Sequence, residues 1–227
     1  RVVLQSIAQS SEGTPEMDSH LIDSLKKLLS QPAVAAATLP LVTKWDKGGA
    51  LAAEVKKVES TLVADFQRSE LSVDARGAAA RALIQIGSGQ LGEIVALLGS
   101  NLPDGLKIGV LSDLCEFGGK EGSEAAANAF QHFTHNPVLA ASALDSILKR
   151  PEATNALLDA VKADTLKREL FAPGDVARLR SHPNKQIAKR ANDLFKVNKA
   201  AKDAIIAKLT PEVEKPGNAA QGNTMCT

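Results

Sequence analysis

The chain has 227 residues, of which 44% are hydrophobic and 3% aromatic, and its formal net charge is +1. That length supports one sizeable core. The lack of any run of ~18 apolar residues excludes a membrane-spanning helix, and a single Trp with no Tyr leaves no aromatic platform for stacking single-stranded bases. Ala and Leu supply most of the apolar content, so the composition predicts an all-α chain.

In chain order, Val3, Leu4, Ile7 and Ala8 read as the end of a helix, and the abrupt start at Arg1 reads as a segment of something longer. Thr14-Pro15 reads as a cap followed by Pro in the first turn, and Leu21, Ile22, Leu25, Leu28 and Leu29 then fall at helical spacing. Ala33 to Asp46 is an Ala-rich helix that Pro40 is expected to kink or divide. After Lys47-Gly48-Gly49, Leu51, Val55, Val58, Leu62 and Phe66 mark a long amphipathic helix. Val73 to Ile86 is the clearest helix, with Asp74 in its first turn and Gly87 beyond its end. Leu91 to Leu98 is a short partner. Leu106, Val110, Leu111, Leu114 and Phe117 form the next stripe, with Gly118-Gly119 as its stop. Helices are then expected over Ser123 to His135, after Asn136-Pro137, and after Arg150-Pro151.

The stretch from Thr165 to Val197 reads as a helix–turn–helix unit: a Pro-Gly-Asp break, a basic helix, a Ser181-His182-Pro183-Asn184 turn and a second basic helix. A last helix is expected around Ile205, Ile206 and Leu209, followed by a polar tail. Roughly a dozen helices with short breaks leave two architectures, a globular bundle or an α-solenoid. The pattern Ala75, Arg76, Ala79, Ala82, Leu83 reappears as Ile187, Ala188, Ala191, Leu194, Phe195, 112 residues on. That is about three units of ~37 and favours degenerate HEAT-like repeats over 1–213, with 214–227 as a tail. Chance likeness between amphipathic helices is the competing explanation.

No catalytic constellation is evident. Cys115 lies in an apolar run without a cationic neighbour, as a buried thiol would. His132 and His135 could reach one metal, but no third ligand stands nearby, and His182 reads as a turn residue. Gly48-Gly49 and Gly118-Gly119 lack the Lys-Ser/Thr of a phosphate loop. Glu16, Asp18 and Glu121 read as solvated carboxylates. Accordingly no catalytic residue, cofactor or metal ligand is assigned. The one charge asymmetry is the basic surface of Arg178, Arg180, Lys185, Lys189, Arg190 and Lys196. Such a surface is most often solvated, and its functional reading is docking onto an acidic neighbouring protein rather than nucleic acid.

The run Leu157-Leu158-Asp159-Ala160, Phe171 to Arg180, Ser181-His182-Pro183 with the basic helix to Phe195, and Gly217-Asn218-Ala219-Ala220-Gln221-Gly222 resembles the helical segment of large multidomain bacterial cytochromes best known in planctomycetes. The likeness is specific from Leu157 onward and only HEAT-like before it. In that family a β-propeller dehydrogenase-like domain precedes HEAT-like helices, and a c-type cytochrome domain follows. The resemblance implies an exported, periplasmic-side protein whose helices hold those flanking domains together. The family continues into Phe-x-x-x-Cys-x-x-Cys-His. Here Met225 stands where that Phe would, Cys226 comes early, and no Cys-x-x-Cys-His occurs, so no haem ligand is carried over. Haem c is expected only in a further domain downstream.

The expected function is therefore a non-catalytic helical-repeat spacer or scaffold acting through protein–protein contacts, without membrane insertion. A stand-alone HEAT-like interaction module is the alternative. A HEAT-like DNA glycosylase or bilin lyase is the enzyme alternative, and the glycosylase form would need aromatics and a basic groove that Trp45 alone does not supply.

Overall fold

The computed structural model describes residues 13–196. Among them the chain is helical throughout, with no strand: α1 Ser19–Leu29, α2 Pro32–Trp45, α3 Ala52–Gln67, α4 Val73–Ile86, α5 Leu91–Leu98, α6 Asp104–Phe117, α7 Gly119–Ala129, α8 Pro137–Leu148, α9 Pro151–Lys162, α10 Pro173–Arg180 and α11 Lys185–Leu194. Short 3₁₀ turns lie at Ser88–Gln90, Phe130–His132 and Arg168–Leu170. The helix ends read from Val3 to Ala8 and around Ile205 to Leu209, and the polar tail, lie outside the described residues.

Local chemistry sets most helix starts. Asn136 Oδ1 accepts from the N–H groups of Val138 and Leu139 at 3.0 and 3.3 Å, Asn184 caps α11 the same way, and Ser72 Oγ accepts from Ala75 N–H. Each satisfies first-turn donors that the helix cannot. Pro32, Pro137, Pro151 and Pro173 open their helices, where a missing N–H costs nothing. Pro173-Gly174-Asp175 is thus the first turn of α10 rather than a break, and the Asp175 carboxylate accepts from Ala172 N–H at 3.1 Å.

Three local expectations change. Thr14-Pro15 does not cap α1; Asp18 does, its carboxylate 2.7 Å from Leu21 N. Pro40 does not divide α2, which runs unbroken from Pro32 to Trp45. The helix expected over Ser123 to His135 begins earlier, at Gly119, and tightens into a 3₁₀ turn at Phe130. The α6–α7 connection is a single residue, Gly118. A Cβ on Gly118 would lie 2.5 Å from Gly122 Cα, and one on Gly122 would lie 2.6 Å from Leu114 O. Gly119 takes φ +59°. The glycines therefore do more than stop α6: they let two helices fold back on each other at backbone contact.

Every substantial helix–helix contact among the described residues joins helices one or two apart in sequence. Among even-numbered helices α2 packs on α4, α4 on α6, α6 on α8 and α8 on α10; among odd-numbered ones α1 packs on α3, α5 on α7, α7 on α9 and α9 on α11. Two layers result, and one continuous apolar cluster from Leu25 to Phe195 fills the space between them. Leu39, Phe66, Leu83, Ile84, Leu111, Leu114, Phe130 and Phe133 are among its largest fully buried members. At the C-terminal end the rings of Phe130 and Phe171 stack at 5.1 Å, and Phe195 meets Phe171 edge-on at 5.3 Å. This tie joins the end of α7, the loop before α10 and the end of α11.

The even helices α2, α4, α6, α8 and α10 start at Pro32, Val73, Asp104, Pro137 and Pro173, spacings of 41, 31, 33 and 36 residues. The 112-residue sequence match does not follow this rhythm. It aligns α4 with α11, which belong to opposite layers. Both helices put small residues on a packed face, and that shared demand, not repeat phase, explains the likeness.

Candidate functional site

Polar contacts between successive helix pairs recur at a nearly constant sequence separation. Arg81 on α4 meets Asp113 on α6, Nε to Oδ2 at 3.0 Å, 32 residues apart. Arg150 meets Glu116 at 3.0 Å. Arg178 on α10 pairs with Asp145 on α8, 33 residues apart, and Arg190 on α11 with Asn155 and Asp159 on α9, 35 and 31 apart. His182 joins the series: its Nδ1 accepts from Asn184 N–H at 3.0 Å, so Nε2 carries the ring proton and donates to Leu148 O at 3.2 Å, 34 residues away. The turn role read for His182 is thereby given a partner.

These rungs divide the basic set singled out in the sequence. Arg178 is turned along the even layer toward Asp145 and Arg190 along the odd layer toward Asp159. Arg180 donates to Phe195 O, inside the α10–α11 pair. Lys196 pairs with Asp193 at 2.6 Å. Of the six, only Lys185 and Lys189 are exposed without an ion pair among the described residues. The six cations do not make one free surface, because three arginines already hold the last pair together and to its neighbours.

Other groups weighed for chemistry are placed in bland settings. Cys115 is 8% exposed, and burial pushes its thiol up to about 12 despite the opposing pull of Arg150, so it holds no thiolate near neutral pH. His132 is half-buried against Gly99. Burial, and after it the Lys107 ammonium, holds its imidazole below the ordinary 6.5. His135 is exposed. Among the described residues no group of three His, Cys, Asp or Glu is arranged to hold a metal ion, and no helix is long and apolar enough to cross a membrane.

A groove of about 790 Å³ lies on the odd layer between α7 and α9. Its lining includes the small residues Ala127, Ala156 and Ala160, together with Cys115, Ser123 and Thr165. Glu124 and Asn128 rise from α7, and Glu152, Asn155 and Asp159 from α9. The same Glu124 and Asn128 also line a second hollow, of about 310 Å³, between α5 and α7, together with Val95, Ala125 and Glu121. Glu124 and Asn128 on α7 therefore border both grooves. Nothing in the sequence signals this group of carboxylates, and Glu121 reads there as a solvated charge. They are divided between α7 and α9, and no local spacing shows that residues about 31 positions apart meet within one layer.

A search against family models, curated proteins and solved structures finds no match to this chain.

Proposed function

We propose that the chain is a non-catalytic scaffold built as an α-solenoid of degenerate HEAT-like helix pairs. The observation that carries this reading is the contact pattern: helices pack on their first and second neighbours, in pairs that start 31 to 41 residues apart. A stack of that kind fixes distance and orientation between whatever is attached to its ends or laid along its side. The cross-pair rungs and the continuous core support rigidity. The buried thiol and the histidine in its turn support a structural rather than a chemical use of those residues.

The likeness of Leu157 to Phe195 to the planctomycete-type cytochromes supports one specific setting: a periplasmic-side spacer between a dehydrogenase-like domain and a haem c domain. In that setting the solenoid supplies geometry alone, and the neighbouring domains supply the redox chemistry. Of the six basic residues, Lys185 and Lys189 are the ones left for contact with such a neighbour. The test is the parent coding sequence beyond Thr227. A Cys-x-x-Cys-His there, and weaker binding of that haem domain to the Lys185→Glu/Lys189→Glu variant, are the expected results. A parent without the motif returns the chain to a stand-alone interaction module.

A further inference from the structure

The two neighbouring grooves over α5, α7 and α9 have a two-part chemistry. Their apolar lining is mainly alanine with Leu91 and Val95, and their charged lining is Glu116, Glu121, Glu124, Glu152 and Asp159 with Lys120 and Arg150. Three of these acids are already paired, Glu116 with Arg150 at 3.0 Å, Glu124 with Lys120 at 3.9 Å and Asp159 with Arg190 at 2.5 Å. Glu121 and Glu152 are exposed and have no ion pair among the described residues. The surface therefore carries excess negative charge around an apolar trough, on a helix layer that nothing in the described chain covers.

That combination selects a side chain with a long apolar stem and a cationic head. Lysine and arginine lay their methylenes on apolar surface and keep the charge at the edge, here against the rim carboxylates. Exposed pairs such as Lys120–Glu124 are individually weak, so they exchange partners readily. The Asn128 amide, which borders both grooves, carries both donors and an acceptor for a partner's main chain.

We propose that the α5–α7–α9 face of the odd layer docks a lysine- or arginine-rich segment of a partner protein. This rests on the scaffold reading and deepens it, since it names the surface and the charge of the partner. The face is opposite in sign to the C-terminal basic residues on which the sequence alone placed docking.

The test uses the full chain and a fluorescent peptide of alternating lysine and alanine, with binding read by anisotropy at physiological salt. The Glu121→Lys/Glu152→Lys variant is expected to bind about tenfold more weakly, and the control Asp23→Lys/Glu70→Lys variant, reversed away from the groove, less than about twofold. Amide exchange should slow in α7 and α9 on peptide binding. Equal losses in both variants, protection elsewhere, or no binding would overturn the assignment. So would about a tenfold gain in peptide affinity in a Lys199→Glu/Lys202→Glu/Lys208→Glu chain, which would give the groove to the chain's own basic segment. Failure here leaves the scaffold reading standing, because that reading is decided by the parent sequence and by domain binding rather than by this peptide.

Discussion

Gly122 is held tightly by its surroundings. A Cβ there would lie 2.6 Å from the Leu114 carbonyl oxygen near the end of α6, and that neighbour is backbone and cannot rotate away. Gly122→Ala should destabilise by about 2–3 kcal/mol, read from denaturant midpoints. Gly105 and Gly109, whose Cβ positions meet nothing within 4 Å, should instead accept Ala with a gain approaching about 1 kcal/mol each. His132 gives a pH signature. Burial first, and Lys107 second, depress its folded-state pKa below 6.5. The folded protein therefore binds this proton less readily than the unfolded chain. Its contribution to stability is complete above about 6.5 and is lost as the pH falls toward the folded-state pKa. His132→Gln should flatten the stability–pH curve below that value relative to wild type, and parallel curves would show that the ring does not titrate differently on folding.

Helix by helix, the rungs between pairs differ in how much depends on them. The Asp113 side chain is 8% exposed while Arg81 is 54% exposed, with its guanidinium 5.4 Å from the Phe117 ring. Burial, the largest influence, raises the Asp113 pKa against the pull of Arg81, which marks the carboxylate as unfavourable to hold charged. Arg81→Met keeps an unbranched apolar side chain but strands that charge, at a cost of about 2 kcal/mol. Asp113→Asn keeps an acceptor and removes the charge, at about 1 kcal/mol or less. Thermal melts of both variants check the order, and an equal cost would mean that packing, not the unpaired charge, sets the loss. Elements of this kind were largely legible in the sequence. The stripes from Leu106 to Phe117 and from Leu51 to Phe66, the Asn-Pro and Arg-Pro starts and Gly87 all fall where the structure puts them, because caps and periodicity act within a few residues. What failed was equally physical. Pro40 lies inside α2 because tertiary burial of Leu39, Leu41 and Val42 outweighs one lost hydrogen bond. The pairing of the basic residues was not legible either, because Arg178 and Arg190 find their acids 31 to 33 residues away. The acidic groove was invisible for the same reason, since Glu121, Glu152 and Asp159 share no local pattern.

At the scale of the molecule, substantial contacts limited, among the described residues, to helices one or two apart mean that stability need not be shared evenly. The α10–α11 pair has helices of eight and ten residues, too short to persist alone. It is held by the Phe130–Phe171–Phe195 rings and the arginine rungs to α8 and α9. Phe171→Ala should remove about 3 kcal/mol from this end. Amide exchange in α10 and α11 should then accelerate strongly while α4 and α6 stay near wild-type protection. Uniform acceleration would describe one cooperative globule instead.

The one-residue link between α6 and α7 also bears on where this chain can change length. Gly118 is the whole connection, and Gly118, Gly122 and Leu114 leave no room between them even for a methyl group. An added residue there has no slack to enter, and it would turn α7 out of register with both α5 and α9. The stretch between α9 and α10 is different. Apart from Leu166 and Phe171 it is mostly exposed, and its only regular structure is the short turn at Arg168–Leu170. Inserted epitopes, fused tags and protease sites belong in that second connection, where they leave the stacking of the helices untouched.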